Sequence, residues 1–172
     1  MNIKLSAICG YGRPETAWQL ILDVSEKLNQ IHLKGNTHGN ISPETILIDG
    51  GQFTLSVPTA GKGRQESDIW ALGATVFEFL MGVPVFSGKG EMVQTAKMPV
   101  PQVSNSYGEE LSSLIRKCLD YDSKNRPDAA SLHEIALKKS MEYSSVNGKT
   151  RKARNQENLL HGDLKYWKEE MK

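Results

Sequence analysis

The stretch His38-Gly39-Asn40-Ile41-Ser42-Pro43-Glu44-Thr45-Ile46-Leu47-Ile48 decides how this 172-residue chain is read. A polar loop, broken at Pro43, runs directly into three consecutive apolar residues. Asp49-Gly50-Gly51 follows, then Gln52-Phe53-Thr54-Leu55-Ser56; two short runs around such a turn read as a β-hairpin. Upstream, Pro14 and Glu15 are good first-turn residues for a helix. Ala17, Leu20, Ile21, Val24, Leu28 and Ile31 then recur at helical spacing, with Trp18 as a packing residue. Gly35 stands where a C-cap belongs, so the spacing predicts a helix of about 19 residues that delivers the chain into the loop.

Downstream, Ser67 to Gly82 is apolar almost all round, the mark of a helix enclosed by others. Ser67 or Asp68 can cap its start and Gly82 its end. Met92 to Met98 reads as a short helix, and Pro99, Pro101 and a Ser/Asn run as a loop. Glu109 to Leu119 places Leu111, Leu114, Ile115, Cys118 and Leu119 on one face, an amphipathic helix. A last helix is expected with Ala129, Leu132, Ile135 and Ala136 turned inward. Near the N-terminus, Ile3 to Cys9 alternates weakly, as a strand would. Gly10-Tyr11-Gly12-Arg13-Pro14 lacks the third glycine of a phosphate-binding loop and reads as a turn.

Three of these segments resemble protein kinases, in the kinase order. The stretch from His38 is similar to the catalytic loop H-R-D-L-x-x-x-N and the strand after it. Ser67-Asp68-Ile69-Trp70-Ala71-Leu72-Gly73 resembles the Asp-x-Trp-Ser-Leu-Gly start of the central helix of the kinase large lobe (C-lobe), and Val83-Pro84-Val85-Phe86 the Pro-Phe after it. Asp120 to Pro127 resembles the Asp-Pro-x-x-Arg-Pro signature. The resemblance runs from about Glu15 to about Lys138 and implies a mainly α fold with a small β-hairpin, a kinase C-lobe-like helical domain lacking the N-lobe. Only about 14 residues precede the first helix, against roughly 80 to 100 for a small lobe.

The same resemblance implies that the chemistry has gone. Asn40 stands where the catalytic aspartate would be, Ser42 for the phosphate-contacting lysine and Thr45 for the metal-binding asparagine. Val57-Pro58-Thr59 stands at the Asp-Phe-Gly position, and the Val57 side chain cannot ligate magnesium. Ala60 to Ser67 is too short for an activation loop with its Ala-Pro-Glu, and Gly39 replaces the arginine that would receive an activation phosphate. His38, Asp68 and Arg126 are left as structural residues. The resemblance implies that Asp68 reaches back to backbone amides of the loop around His38. It also leaves Arg126 without its usual glutamate, because Glu66 lies too close to Asp68 to stand for it.

Composition narrows the functional classes. The net charge of +1 singles out no particular polyanionic partner. Cys9 and Cys118 match no metal or disulfide spacing, and His32, His38, His133 and His161 have no ligand-spaced neighbours, so no metal is expected. No apolar run approaches a membrane span, and the N-terminus has no signal-peptide core. Cytoplasmic location is expected, with export without a cleavable signal as the alternative.

Charge is uneven along the chain. Residues 138–172 carry 9 Lys/Arg against 5 Asp/Glu, whereas residues 1–137 carry 12 against 15. The expected division is therefore an N-terminal strand and turn over 1–14, the C-lobe-like domain over 15–139 and a basic tail over 140–172. In that tail Leu160, Leu164, Trp167 and Met171 fall at helical spacing and form a possible partner-binding stripe. The expected function is a non-catalytic, pseudokinase-like interaction module or scaffold that binds a protein partner or a second copy, with no cofactor and no nucleotide. The alternatives are a nucleotide-regulated or residual kinase-type switch needing a second subunit, and an adaptor whose basic cluster at 149–154 meets nucleic acid or membrane.

Overall fold

Pro14 opens the first helix in the computed structural model, which describes residues 2–59, 63–88 and 90–146. This helix, α1 (Pro14–Leu33), begins where the Arg13 amide donates to Thr16 Oγ1 at 3.0 Å. It stops where Gly35 takes a φ of +78° and its amide reaches back to the His32 carbonyl at 2.9 Å, the left-handed turn that glycine adopts without strain.

The sheet is larger than the expected hairpin. β1 (Ile3–Lys4), β2 (Ile46–Asp49) and β3 (Gln52–Leu55) form an antiparallel sheet in the order β1-β2-β3. Ile3 faces Ile48, and Ile48 faces Phe53. Gly50 and Gly51, at φ +58° and +83°, make the two-residue turn between β2 and β3. The expected strand over Ile3 to Cys9 is extended only at its first two described positions; Leu5–Ile8 is a 3-10 turn that drops Leu5 and Ile8 into the core. After it the Gly10 and Gly12 amides both donate to the Phe79 carbonyl near the end of α2.

Helix α2 (Gln65–Met81) is buried on most sides, between α1 and α3 (Glu109–Cys118). It starts two residues earlier than Ser67, so neither Ser67 nor Asp68 is its N-cap and both lie inside the first turn. Gly82 ends it at φ +77°. Between α2 and α3 the expected helix over Met92 to Met98 is only a 3-10 turn at Glu91–Val93. Helix α4 (Ala129–Val146) packs along α1 and crosses position 140 without a break, with Ser140 and Ser144 buried. Ala129, Leu132 and Ala136 face inward as expected, but Ile135 is 40% exposed because it lies off that stripe.

Residues 149–154 and Leu160, Leu164, Trp167 and Met171 lie outside the described residues. Among the described residues no helix is long and apolar enough to cross a membrane.

Candidate functional site: a loop held from behind

The loop between α1 and β2 is held by one carboxylate. Asp68, in the first turn of α2, is 2% exposed; its Oδ2 accepts from the His38 amide at 2.7 Å and its Oδ1 from the Gly39 amide at 2.8 Å. His32, on the last turn of α1, brings Nε2 to 2.9 Å from the same Oδ2. Burial pushes the Asp68 carboxyl up, but the hydrogen bonds from His32, Gly39 and His38 outweigh it and hold the carboxyl below the usual range.

His38 is fully buried and locked at both ring nitrogens. Its Nδ1 accepts from the Asn40 amide at 3.2 Å, which leaves Nε2 to donate to the Ser56 carbonyl at 2.9 Å. A neutral imidazole with its proton on Nε2 satisfies both partners. Gly39 has φ +78°, and a Cβ there would stand 2.6 Å from Thr59 Oγ1. Thr59 in turn donates both its amide and its hydroxyl to the His38 carbonyl.

The rest of the loop is knitted to itself. Thr45 Oγ1 donates to the Asn40 carbonyl at 2.6 Å and accepts from the Ser42 amide at 3.0 Å, and Ser42 Oγ accepts from the Glu44 amide. Glu44 points out to Lys4 on β1 at 3.2 Å. Asn40 is exposed, and Val57 is 86% exposed beyond β3. The four positions Asn40, Ser42, Thr45 and Val57 therefore present no carboxylate, and the hydroxyls of two of them serve the loop backbone. Among the described residues no three His, Cys, Asp or Glu side chains gather as metal ligands.

Arg126 has an acidic partner after all. Its buried guanidinium donates to Glu91 Oε2 at 2.6 Å and to the carbonyls of Glu66 and Asp120. Glu91 also takes Arg64 at 3.2 Å and the Ser67 hydroxyl. Burial raises the Glu91 carboxyl, but Ser67, Arg126 and Arg64 together hold it below its ordinary value. Three residues on, Gln94 is clasped between Trp70 Nε1 and the Leu119 carbonyl, both at 2.8 Å, and Trp70 stacks on Phe86 with centroids 6.3 Å apart. The segment after α2 thus folds back along the start of that same helix.

Asp68 joins His38 and the loop that carries Asn40, Ser42 and Thr45, Val57 lies exposed beyond β3, and Arg126 belongs to the cluster around Glu91. His32, Glu91 and Gln94 were not legible as partners, since each meets residues 24 to 36 positions away.

The chain is 27% identical over 161 residues to a probable protein kinase of Dictyostelium discoideum, covering 77% of this chain and 46% of that one. It is 23% identical over 196 residues to the probable serine/threonine-protein kinase nek2 of the same organism, covering 94% and 44%. MAP3K epsilon protein kinase 1 of Brassica napus is 32% identical over 121 residues, covering 63% and 8%. The chain is protein kinase-like. No protein-family model matches this kinase-like chain, which spans less than half the length of these three relatives. The alignment with nek2 is longer than the chain itself, so that relative carries segments between the matched parts that this chain lacks.

Proposed function

We propose that the chain is a non-catalytic, pseudokinase-type large-lobe module that acts by binding another protein. The observation that carries this reading is the loop at His38: its backbone is braced by Asp68, yet Asn40, Ser42, Thr45 and Val57 offer no carboxylate within it. Phosphoryl transfer needs a base at the attacking hydroxyl and hard oxygen ligands for magnesium. Thr45 Oγ1 is engaged by the Asn40 carbonyl and the Ser42 amide, and the Val57 side chain has no ligating atom, so these side chains do not fit a nucleotide-bound magnesium. A loop stripped of its chemistry but still supported by a buried ionised carboxylate is a scaffold element. The order of α1, the loop, the hairpin and α2 also supports a large-lobe reading.

An affinity capture from native lysate tests this, comparing the full chain with a version ending at Val146. A stoichiometric protein held by both forms supports binding through the lobe. Capture lost with the tail moves the contact to residues 147–172. Absence of any specific protein with either form contradicts the reading.

A further inference from the structure

A cleft of about 610 Å³ opens at the C-terminal end of α1, within the size range of small-molecule sites. Its chemistry is one-sided. Lys27 and Gln30 from α1, Lys34 just after it, and Asn36, Thr37 and Thr59 contribute to its wall, and no described lining residue is acidic. Lys27, Gln30, Lys34 and Asn36 have no hydrogen-bond or ion-pair partner for their side chains among the described residues. The nearby carboxylate of Asp68 is turned away, engaged by His32, His38 and Gly39.

A helix C-terminus ordinarily repels anions through its free carbonyls. Here those of Ile31 and His32 are already taken, the first by the Lys34 and Asn36 amides, the second by the Gly35 amide and the Gln65 side chain. The unpaired ammonium groups of Lys27 and Lys34 then set the local field. They are seven residues apart on one face, roughly 10 Å along the axis. Two cations on a wall with no described acidic residue suit the several negative charges of a diphosphate better than a single small carboxylate.

We propose that this cleft binds the diphosphate group of a small molecule. Lys27 and Lys34 neutralise its charge, and Gln30 and Asn36 donate to its oxygens. The cleft adjoins the loop through Pro58 and Thr59, but its cations lie on α1 and just after it, and the site stands whether or not the lobe binds a protein.

The test is a titration of the isotope-labelled full chain with sodium pyrophosphate and, in parallel, inorganic phosphate, at constant ionic strength. Amide shifts at Lys34, Gly35, Asn36 and Thr37 should saturate, with pyrophosphate the tighter ligand. Lys27→Gln with Lys34→Gln should weaken binding at least about tenfold, the loss expected when charge-assisted hydrogen bonds are removed. Both lysines are exposed, so this variant should keep its fold. Asn36→Asp should also abolish binding, by placing a carboxylate in the wall. Exchanging Lys149, Arg151, Lys152 and Arg154 for Gln should leave it intact. Shifts confined to residues 149–154, or pyrophosphate binding unchanged in the Lys27/Lys34 variant, would overturn the assignment.

Discussion

Asp68 is the side chain on which the loop geometry rests. Asp68→Ala leaves the His38 and Gly39 amides and His32 without their acceptor, at a cost of about 2–4 kcal/mol. Urea unfolding should show this as a lower midpoint. Because its folded-state pKa is depressed, the stability that Asp68 contributes is fully present above the unfolded value, about 3.9, and is lost as pH falls through the folded value. Thermal midpoints followed from pH 6 to the acid limit should therefore drop more steeply in the parent protein than in Asp68→Asn. Glu91→Gln leaves the Arg126 charge buried and unpaired, costing about 3 kcal/mol, and Arg126→Met in the same chain should recover part of the loss. If the two substitutions simply add, the pair is not coupled. What could be read in advance here was Asp68, because its neighbours Trp70 and Gly73 place it in a recognisable frame. Glu91 could not be read: it sits in a Gly-Glu-Met context with no periodicity, and only the fold brings it to Arg126, 35 positions away.

At the scale of elements, close approach decides where side chains are allowed. Gly73 on α2 faces the end of α3, and a Cβ there would stand 2.6 Å from that of Cys118. Gly73→Ala must push the two helices apart and should cost about 1–3 kcal/mol. Gly35→Ala meets open space, and its cost of roughly 1 kcal/mol should come from the left-handed backbone alone. Thermal melts of the two variants distinguish steric from conformational strain; a smaller loss for Gly73→Ala than for Gly35→Ala would contradict the packing described. Helices α1, α2 and α3 were legible because their apolar residues repeat over ten or more positions. β1 was only half legible: it has two residues, and its pairing with β2 bridges more than forty positions, which no local pattern records. Ile135 was misplaced for a related reason, since an apolar residue one step off the stripe looks the same in sequence as one on it.

For the molecule as a whole, the last turns of α4 belong to the packed core. It packs along α1, and its last two turns bury Ser140 and Ser144. A chain ending at Val146 should unfold in one transition, whereas one ending at Lys139 should melt several degrees lower or lose its single transition. Equal melting of both forms would mean that the last turns of α4 add nothing. The proposed function also belongs to this scale: a kinase-like chain whose loop at His38 is held as structure and, as proposed, does no phosphoryl transfer. Its most direct test is a magnesium–ATP titration of the isotope-labelled full chain, read at the amides of Asn40, Ser42, Thr45 and Val57. The account predicts no saturable shift at those four positions, even if phosphate groups perturb Lys34 to Thr37. Saturable, magnesium-dependent shifts at Asn40, Thr45 and Val57 would contradict it.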